Sequence, residues 1–524
     1  MTYAPRPHAV ASPHFAATAA GEQVLADGGS AVDAAIATAA VLCVVYPHMV
    51  SLGGDLWAVM SDTDGAVTAV NGSGLAAAAL DAETVRAAGH DTMPTYGPHT
   101  ITVPGAVRAW ADLHAQAGVL PWARLFEAAI RLAEEGAPIA AALDRDIVGL
   151  ADHLRADAGM RATFFHEDGS PKRAGTVLTQ PALAATLKAI AAEGPSALYG
   201  GAVGQAYVAG LQALGSKLEV SDLEAQSSVL SEPLSFDGGD VEVLTSPPNS
   251  QGFVLGQLVH ARAGRGDWLE VADYPRLARL FAVSNRERDR WLADPTVSPI
   301  DVAALTTGEH LASMIAIADD ATASLDGPVP TRATGDTVAI VAMDAEGRAI
   351  TLIQSIFYAF GAGVLEPATG IVSQNRGSSF SLDEAHPAFL RGGTRPPHTL
   401  LPVLLRRDGA VFAAVGTMGG RSQAQIQMQL INGVRQGTHP QDIVTAPRYV
   451  VGAFGPNNEE VVLVENRLDE AAIAAFEPSA IPVLVTEAFD DRAGHSHILL
   501  RTEAGILVGT DPRADGLRDE AASA

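Results

Sequence analysis

The sequence predicts a layered protein of helices and strands, an α/β (α+β) fold, on three observations. The first part of the chain carries alanine-rich segments whose apolar residues recur every three to four positions. The second part carries strand-length runs that are apolar throughout, and such strands belong inside a layered structure, covered on both faces. Turns bearing glycine, proline and aspartate separate these segments. At 524 residues the chain can build two lobes or one large layered unit.

Taken in order, Ala17–Ala26 reads as an amphipathic helix stopped at Gly28-Gly29, and Ser30 is placed to cap a second helix over Ala31–Val45. The second helix is apolar on almost every face, the pattern of a buried helix. LGGDLWAVMSDTDGAVTAVNGSG, from Leu52, reads as strand, turn and strand with Asp64-Gly65 at the turn. Residues 122–135 and 181–193 have helical spacing and end at glycine. The stretch 310–336 is polar, proline-bearing and turn-rich, and reads as an exposed connector. It runs directly into a strand over Thr337–Asp344. A second strand, Ala349–Ile356, follows across a turn at Ala345–Gly347, and Ala410–Thr417 is another. No internal repeat is present.

Composition narrows the function by exclusion. Hydrophobic residues make up 48% and charged residues 18%, ordinary values for a globular protein. Sixty acidic against 34 basic residues give a formal charge of −26, which argues against nucleic acid and anionic membrane surfaces as partners. A single cysteine, Cys43, rules out an internal disulfide framework or a thiolate-rich metal site, and its aliphatic neighbours disfavour a thiolate nucleophile. The N-terminus lacks a basic region followed by a continuous apolar stretch. The longest apolar run, Ala34 to Tyr46, is too short to span a bilayer. A cytoplasmic location is the expectation.

Two places could carry chemistry. Thr337 follows Gly335-Asp336 where the connector meets the strand. A threonine hydroxyl is a weak nucleophile without a base. Cleavage before Thr337 would supply one, because a free α-amine ordinarily titrates at roughly pH 7.7–8.0. Gly419-Gly420, in GTMGGRSQAQ, follows a strand and precedes a helical pattern, so its backbone N–H groups could face a developing oxyanion. On their own these also read as an ordinary turn into a strand and a tight turn. His495 and His497 lack a matching ligand cluster, so no metal is expected there. Asn375-Arg376 and Arg395 lie in turn-like sequences and suit either anion contact or surface charge.

Further stretches occur in a fixed order. They are DGGSAVDAAIATAAVLCVVYPH at 27–48, LGGD at 52–55, VPGAV at 103–107, SPPNSQG at 246–252 and GDT at 335–337. FGAGV at 360–364, QNRGSSF at 374–380, RPPHTLLP at 395–402, GTMGG at 416–420, TAPR at 445–448 and GTDPRADG at 509–516 follow. Along nearly its whole length the chain thereby resembles the γ-glutamyltransferase family of N-terminal nucleophile hydrolases. The resemblance implies a four-layer αββα sandwich made from one precursor. It implies self-cleavage between Asp336 and Thr337 into a large chain, 1–336, and a small catalytic chain, 337–524, that remain together as a heterodimer. It further implies Thr337 as nucleophile, its freed amine as base, Gly419 and Gly420 as oxyanion donors and Ser355 as a hydroxyl supporting the nucleophile. No cofactor is implied.

The sequence departs from the glutathione-processing members where they hold the glutamyl group. Ser379, after Ser378, stands where those members carry the carboxylate for the substrate ammonium, and Phe357 falls where they place an asparagine. His398-Thr399 replaces their serine pair. AAAALDA at 76–82 lacks their carboxylate-binding arginine, leaving Arg86 as a displaced substitute. Each lost charge-assisted hydrogen bond removes about 1.5–3 kcal/mol. The pattern is closer to the branch with acylases and oxamate amidohydrolase. In such a pocket Arg376, His398 and Arg421 are candidate contacts for a small carboxylate. The leading expectation is an amide hydrolase acting on a small non-glutamyl amide. A rearranged γ-glutamyl hydrolase or transferase, and an unprocessed non-enzymatic relative, are the alternatives.

Overall fold

The computed structural model describes residues 4–325 and 336–517. Gly335 and the rest of 326–335 therefore lie outside the described residues, and the connector expectation can be compared only with 310–325 and Asp336, of which the turn-like stretch 320–325 fits it. Its first part departs from expectation: Gly308–Asp319 is a helix. Its apolar positions Leu311, Met314 and Ala318 recur at helical spacing and are buried, which outweighs the polar composition around them.

Two six-stranded antiparallel sheets form the centre. The strands of the first are β1 (Ala9–Ala11), β2 (Asp55–Ser61), β3 (Val67–Gly72), β4 (Val229–Ser231), β7 (Asp336–Met343) and β8 (Ala349–Phe357). Those of the second are β5 (Leu234–Asp237), β6 (Glu242–Thr245), β9 (Val403–Arg407), β10 (Ala410–Thr417), β11 (Ser496–Thr502) and β12 (Gly505–Thr510). In space the orders are β1-β7-β8-β2-β3-β4 and β12-β11-β10-β9-β6-β5. The chain before residue 336 thus contributes strands to both sheets, and β7 and β8 lie between β1 and β2.

The burial of alternate residues defines the layers. Along β7, Val338, Ile340 and Ala342 pack into the cluster that contains α1 (Phe15–Ala26) and α2 (Ala31–Val45). Ala339, Val341 and Met343 point the other way, into the seam between the sheets, where Val341 and Met343 join Val59, Leu404 and Ala414. Thr351 crosses the seam, its hydroxyl donating to the Val403 carbonyl at 2.8 Å. The second sheet is covered in turn by α3 (Gly252–Arg262), α4 (Tyr274–Trp291) and α5 (Gln423–Arg435). Helix, sheet, sheet, helix: the fold is the four-layer αββα sandwich.

Local expectations are largely met. All of α2 is buried, and Ser30 and Asp33 form a reciprocal cap. The segment 122–135 differs in detail, beginning as a 3₁₀ turn over Trp122–Phe126 before Glu127–Glu135 becomes α-helical. Among the described residues no helix is long and apolar enough to cross a membrane.

Candidate active site

Strand alternation decides which way Thr337 faces. It shares the face of Ala339 and Val341, so its side chain enters the seam between the sheets, where it is buried. Ser355, on β8, shares the face of Ile353 and lies beside it. A register shift falls here, with Gln354 opposite Val338 but Phe357 opposite Asp336, so that two residues face Thr337. This bulge directs Ser355 into a short chain of hydrogen bonds. The Thr337 hydroxyl donates to Ser355 Oγ at 3.1 Å, and Ser355 Oγ donates to the Asp336 carbonyl at 2.6 Å. The Phe357 N–H donates to Ser355 Oγ at 2.8 Å and fixes it. Burial, followed by the carboxylates of Asp146 and Asp491, holds the Asp336 side-chain carboxyl well above the usual range.

The paired glycines approach from the opposite sheet. Gly416, on β10, faces Ala339 across the seam, and the chain continues from there toward the Thr337 end of β7. Gly419 and Gly420 have φ of 142° and 52°, and a side chain at Gly419 would run into Ile426. The turn opens a 3₁₀ step, Gly420–Ser422, that leads into α5. Its carbonyls are fixed: Gly419 O accepts from Ser422 N at 2.9 Å, and Gly420 O from Gln251 Nε2 at 3.1 Å. The same Gln251 nitrogen donates to Thr399 O at 2.8 Å.

A cationic wall stands beside these groups. Arg376 is fully buried, with its guanidinium 3.9 Å from the centre of the Phe357 ring. It donates one bond, at 3.3 Å, to Thr399 Oγ1, while Nε and Nη2 have no partner among the described residues. Phe357 has a left-handed backbone, φ 82°, a conformation that costs a bulky residue about 1–3 kcal/mol and sets its ring under Arg376. His398 is buried 3.0 Å from Asp55, and burial, then Arg376 and Arg288, keep its ring neutral. A neutral ring bound to a carboxylate through Nε2 carries its proton there and presents Nδ1 as an acceptor. Burial raises Asp55 to about 6, although Gln374 and the Gly74 N–H both donate to it at 2.8 Å.

The site residues thus fall into three groups. Asp336, Thr337 and Ser355 meet directly. Gly420 is linked through Gln251 to Thr399, and Thr399 to Arg376. Arg421 is ion-paired to Asp289, on α4. Ser379 is half-buried on the short turn Arg376–Ser379. Arg86 is an exposed clasp donating to the Leu382 carbonyl, and Arg395 donates to the carbonyls of Ser73 and Ser227. Cys43 is buried and its thiol is pushed up by burial. Among the described residues no group of three or more His, Cys, Asp or Glu is placed to hold a metal ion.

Sequence reasoning missed Arg288, Asp289, Asp55 and the role of Gln251. Arg288 is buried on α4 and donates to Gln251 Oε1 at 3.0 Å and Asp289 Oδ1 at 2.9 Å. The available signal was its position: it continues the buried stripe Leu277, Phe281, Ser284, where an aliphatic residue is expected. Asp289 is drawn up by burial but held low by Arg421 and Arg288.

A four-layer αββα sandwich with a buried threonine at the start of a central strand fits the class of N-terminal nucleophile hydrolases. The chain belongs to the γ-glutamyltranspeptidase family, whose model matches residues 17–520. It is 34% identical over 521 residues to the oxamate amidohydrolase proenzyme of Klebsiella pneumoniae subsp. pneumoniae, covering 96% of this chain and 97% of that protein. It is also 34% identical over 517 residues to the glutathione hydrolase-like YwrD proenzyme of Bacillus subtilis, covering 97% of both. The crystal structure of cephalosporin acylase from Bacillus halodurans superimposes with a TM-score of 0.88 at 31% identity, covering 98% of this chain and 95% of that one. The protein is accordingly an enzyme, a hydrolase of this family on its acylase-like branch.

Proposed function

We propose that this hydrolase cuts itself between Asp336 and Thr337 and then hydrolyses a small amide whose acyl part carries a carboxylate. In the uncut chain Thr337 Oγ attacks the Asp336 carbonyl carbon while Ser355 donates to the carbonyl oxygen. The peptide C–N bond breaks as the ester forms, the Thr337 hydroxyl proton passing to the departing nitrogen. Water then cleaves the ester, leaving the α-carboxylate of Asp336 and Thr337 with its hydroxyl restored and its amine free. In the mature enzyme that amine takes the Thr337 hydroxyl proton during attack on the substrate amide. The oxyanion faces the Gly419 and Gly420 N–H groups, and the amine returns the proton to the leaving nitrogen. Water, deprotonated by the same amine, releases the acid.

The observation that carries the substrate class is Arg376. Two of its nitrogens, Nε and Nη2, have no hydrogen-bond partner among the described residues. Although the Asp55 carboxylate attracts it, a buried guanidinium in that state is stabilised further when an anion meets those nitrogens. Ser379 provides no carboxylate to bind a glutamyl ammonium. The name of the oxamate amidohydrolase relative agrees with this class, and that of the acylase relative with a non-glutamyl acyl group. Oxamate, the simplest amide with such an acyl group, is the test substrate, with ammonia release as the readout. The processed enzyme is expected to consume oxamate in preference to γ-glutamyl-p-nitroanilide. Arg376→Met is expected to lower kcat/KM for oxamate about 10- to 100-fold, matching a lost charged hydrogen bond of about 1.5–3 kcal/mol. Preferential turnover of the glutamyl anilide, or an Arg376→Met enzyme of full activity, would contradict the reading.

A further inference from the structure

We infer that Gln251 is the positioning residue of the oxyanion turn, held in its working orientation by Arg288. The inference rests on the assignment of Gly419 and Gly420 as oxyanion donors, and not on the identity of the acyl group.

Two adjacent glycines with φ of 142° and 52° give the turn backbone freedom that no side chain of its own restrains. An oxyanion hole works only when its N–H groups are already aimed, since turning them during the reaction forfeits their effect. The restraint therefore has to come from outside, and Gln251 supplies it. Its fully buried amide nitrogen donates both to Gly420 O, at 3.1 Å, and to Thr399 O, at 2.8 Å. One side chain thus ties the turn to the loop whose Thr399 hydroxyl accepts from Arg376.

The amide has two possible orientations, and only one presents its NH₂ to the two carbonyls. Arg288 selects it. Its Nε–H donates to Gln251 Oε1 at 3.0 Å, which an NH₂ group in that place could not accept. Arg288 is itself aimed by Asp289, which Arg421, the residue after the glycines, also pairs. Gln251 and Arg288 lie on the segment before Thr337, whereas the glycines and Arg421 lie after it. The positioning therefore crosses between the two products of the cut.

The test is Gln251→Glu in the full-length, processed enzyme. Glutamate keeps the shape and the Arg288 contact but sets a carboxylate oxygen against the two carbonyls. Two probes are used, oxamate and p-nitrophenyl acetate, whose acyl group is neutral. Processing is checked by intact mass and folding by the thermal midpoint, and a crystal structure of the variant reports the turn directly. The expected result is a processed, folded variant whose kcat falls about 10- to 100-fold on either probe that the parent turns over. KM is expected to change little, and the Gly419–Gly420 peptide to be displaced. Arg288→Met is expected to show a smaller loss in kcat of the same kind. An unmoved turn, an unchanged kcat, or a rise in KM alone would overturn the proposal. If the parent consumes p-nitrophenyl acetate but not oxamate, the carboxylate reading fails while this one is decided on the acetate.

Discussion

Ser355 shows how much one hydroxyl can be asked to do. It accepts from the hydroxyl of Thr337 and donates to the carbonyl on the other side of the Asp336–Thr337 bond. Removing an oxyanion donor costs an enzyme about 10²–10³ in rate. Ser355→Ala is therefore expected to slow the appearance of the small chain about a hundredfold, followed by mass spectrometry over time. Processing at the parental rate would assign the serine to packing. Thr337 and the paired glycines were noticeable in the local sequence as a strand start and a tight turn, but their expected roles, and Ser355 altogether, came from the family resemblance. Arg288 and Asp55 were not legible, because burial of a charge is decided by elements distant in the chain. Arg421 was legible as a cation near the glycines, but its pairing with Asp289 depends on how α4 packs.

At the scale of elements, the turn after β10 works because rigid pieces surround it. The loop at Gly494–Ser496 lies against it: Met418 N donates to His495 O, and a side chain at Gly494 would strike the Met418 carbonyl. That loop is held by a buried network. Arg448 donates to Gly494 O and Asp511, each at 2.6 Å, and Arg513 bridges Asp511 at 3.0 Å and Glu465 at 2.6 Å. The stretches TAPR and GTDPRADG, which suggested no role as sequences, supply Arg448, Asp511 and Arg513. Breaking a buried pair from one side costs about 3–5 kcal/mol, because the partner charges remain. Arg513→Met is expected to destabilise the protein by that order in urea unfolding, and a loss below about 1 kcal/mol would show that solvent reaches the network. The strands and helices themselves were readable, since apolar spacing reports burial directly. The helix at Gly308–Asp319 escaped because its buried positions are few and its surroundings polar.

For the whole molecule, burial sets the response to acid. His14, His48, His398, His495 and His497 all have ring pKa values lowered, chiefly by burial, to about 4 for His14 and His495 and about 3 for His497. The unfolded chain takes up these protons near pH 6.5, so the stability they confer is full above that value and lost as the pH falls. Buried Asp55 and Asp146, each raised to about 6, bind protons more readily in the fold and oppose that loss below pH 6. Against this mixed background one ring can be isolated. His497→Leu is expected to lose less stability than the parent between pH 6.5 and 4, by on the order of 1.4 kcal/mol per pH unit, measured in urea. Equal slopes would mean that His497 is protonated in the fold. The layered architecture also bears on the cut. In the first sheet β7 and β8 are wedged between β1 and β2, so cleavage after Asp336 would interrupt only the first residue of β7 and leave the pairings β1–β7 and β8–β2 to hold two chains through one core.

The central claim, a nucleophile freed by self-cleavage, is tested most directly by intact-mass analysis of the purified protein beside Thr337→Ala. Two fragments, the smaller beginning at Thr337 and absent from the variant, are expected. A single uncut chain in both preparations after prolonged incubation would contradict the claim and leave Thr337 a buried strand residue.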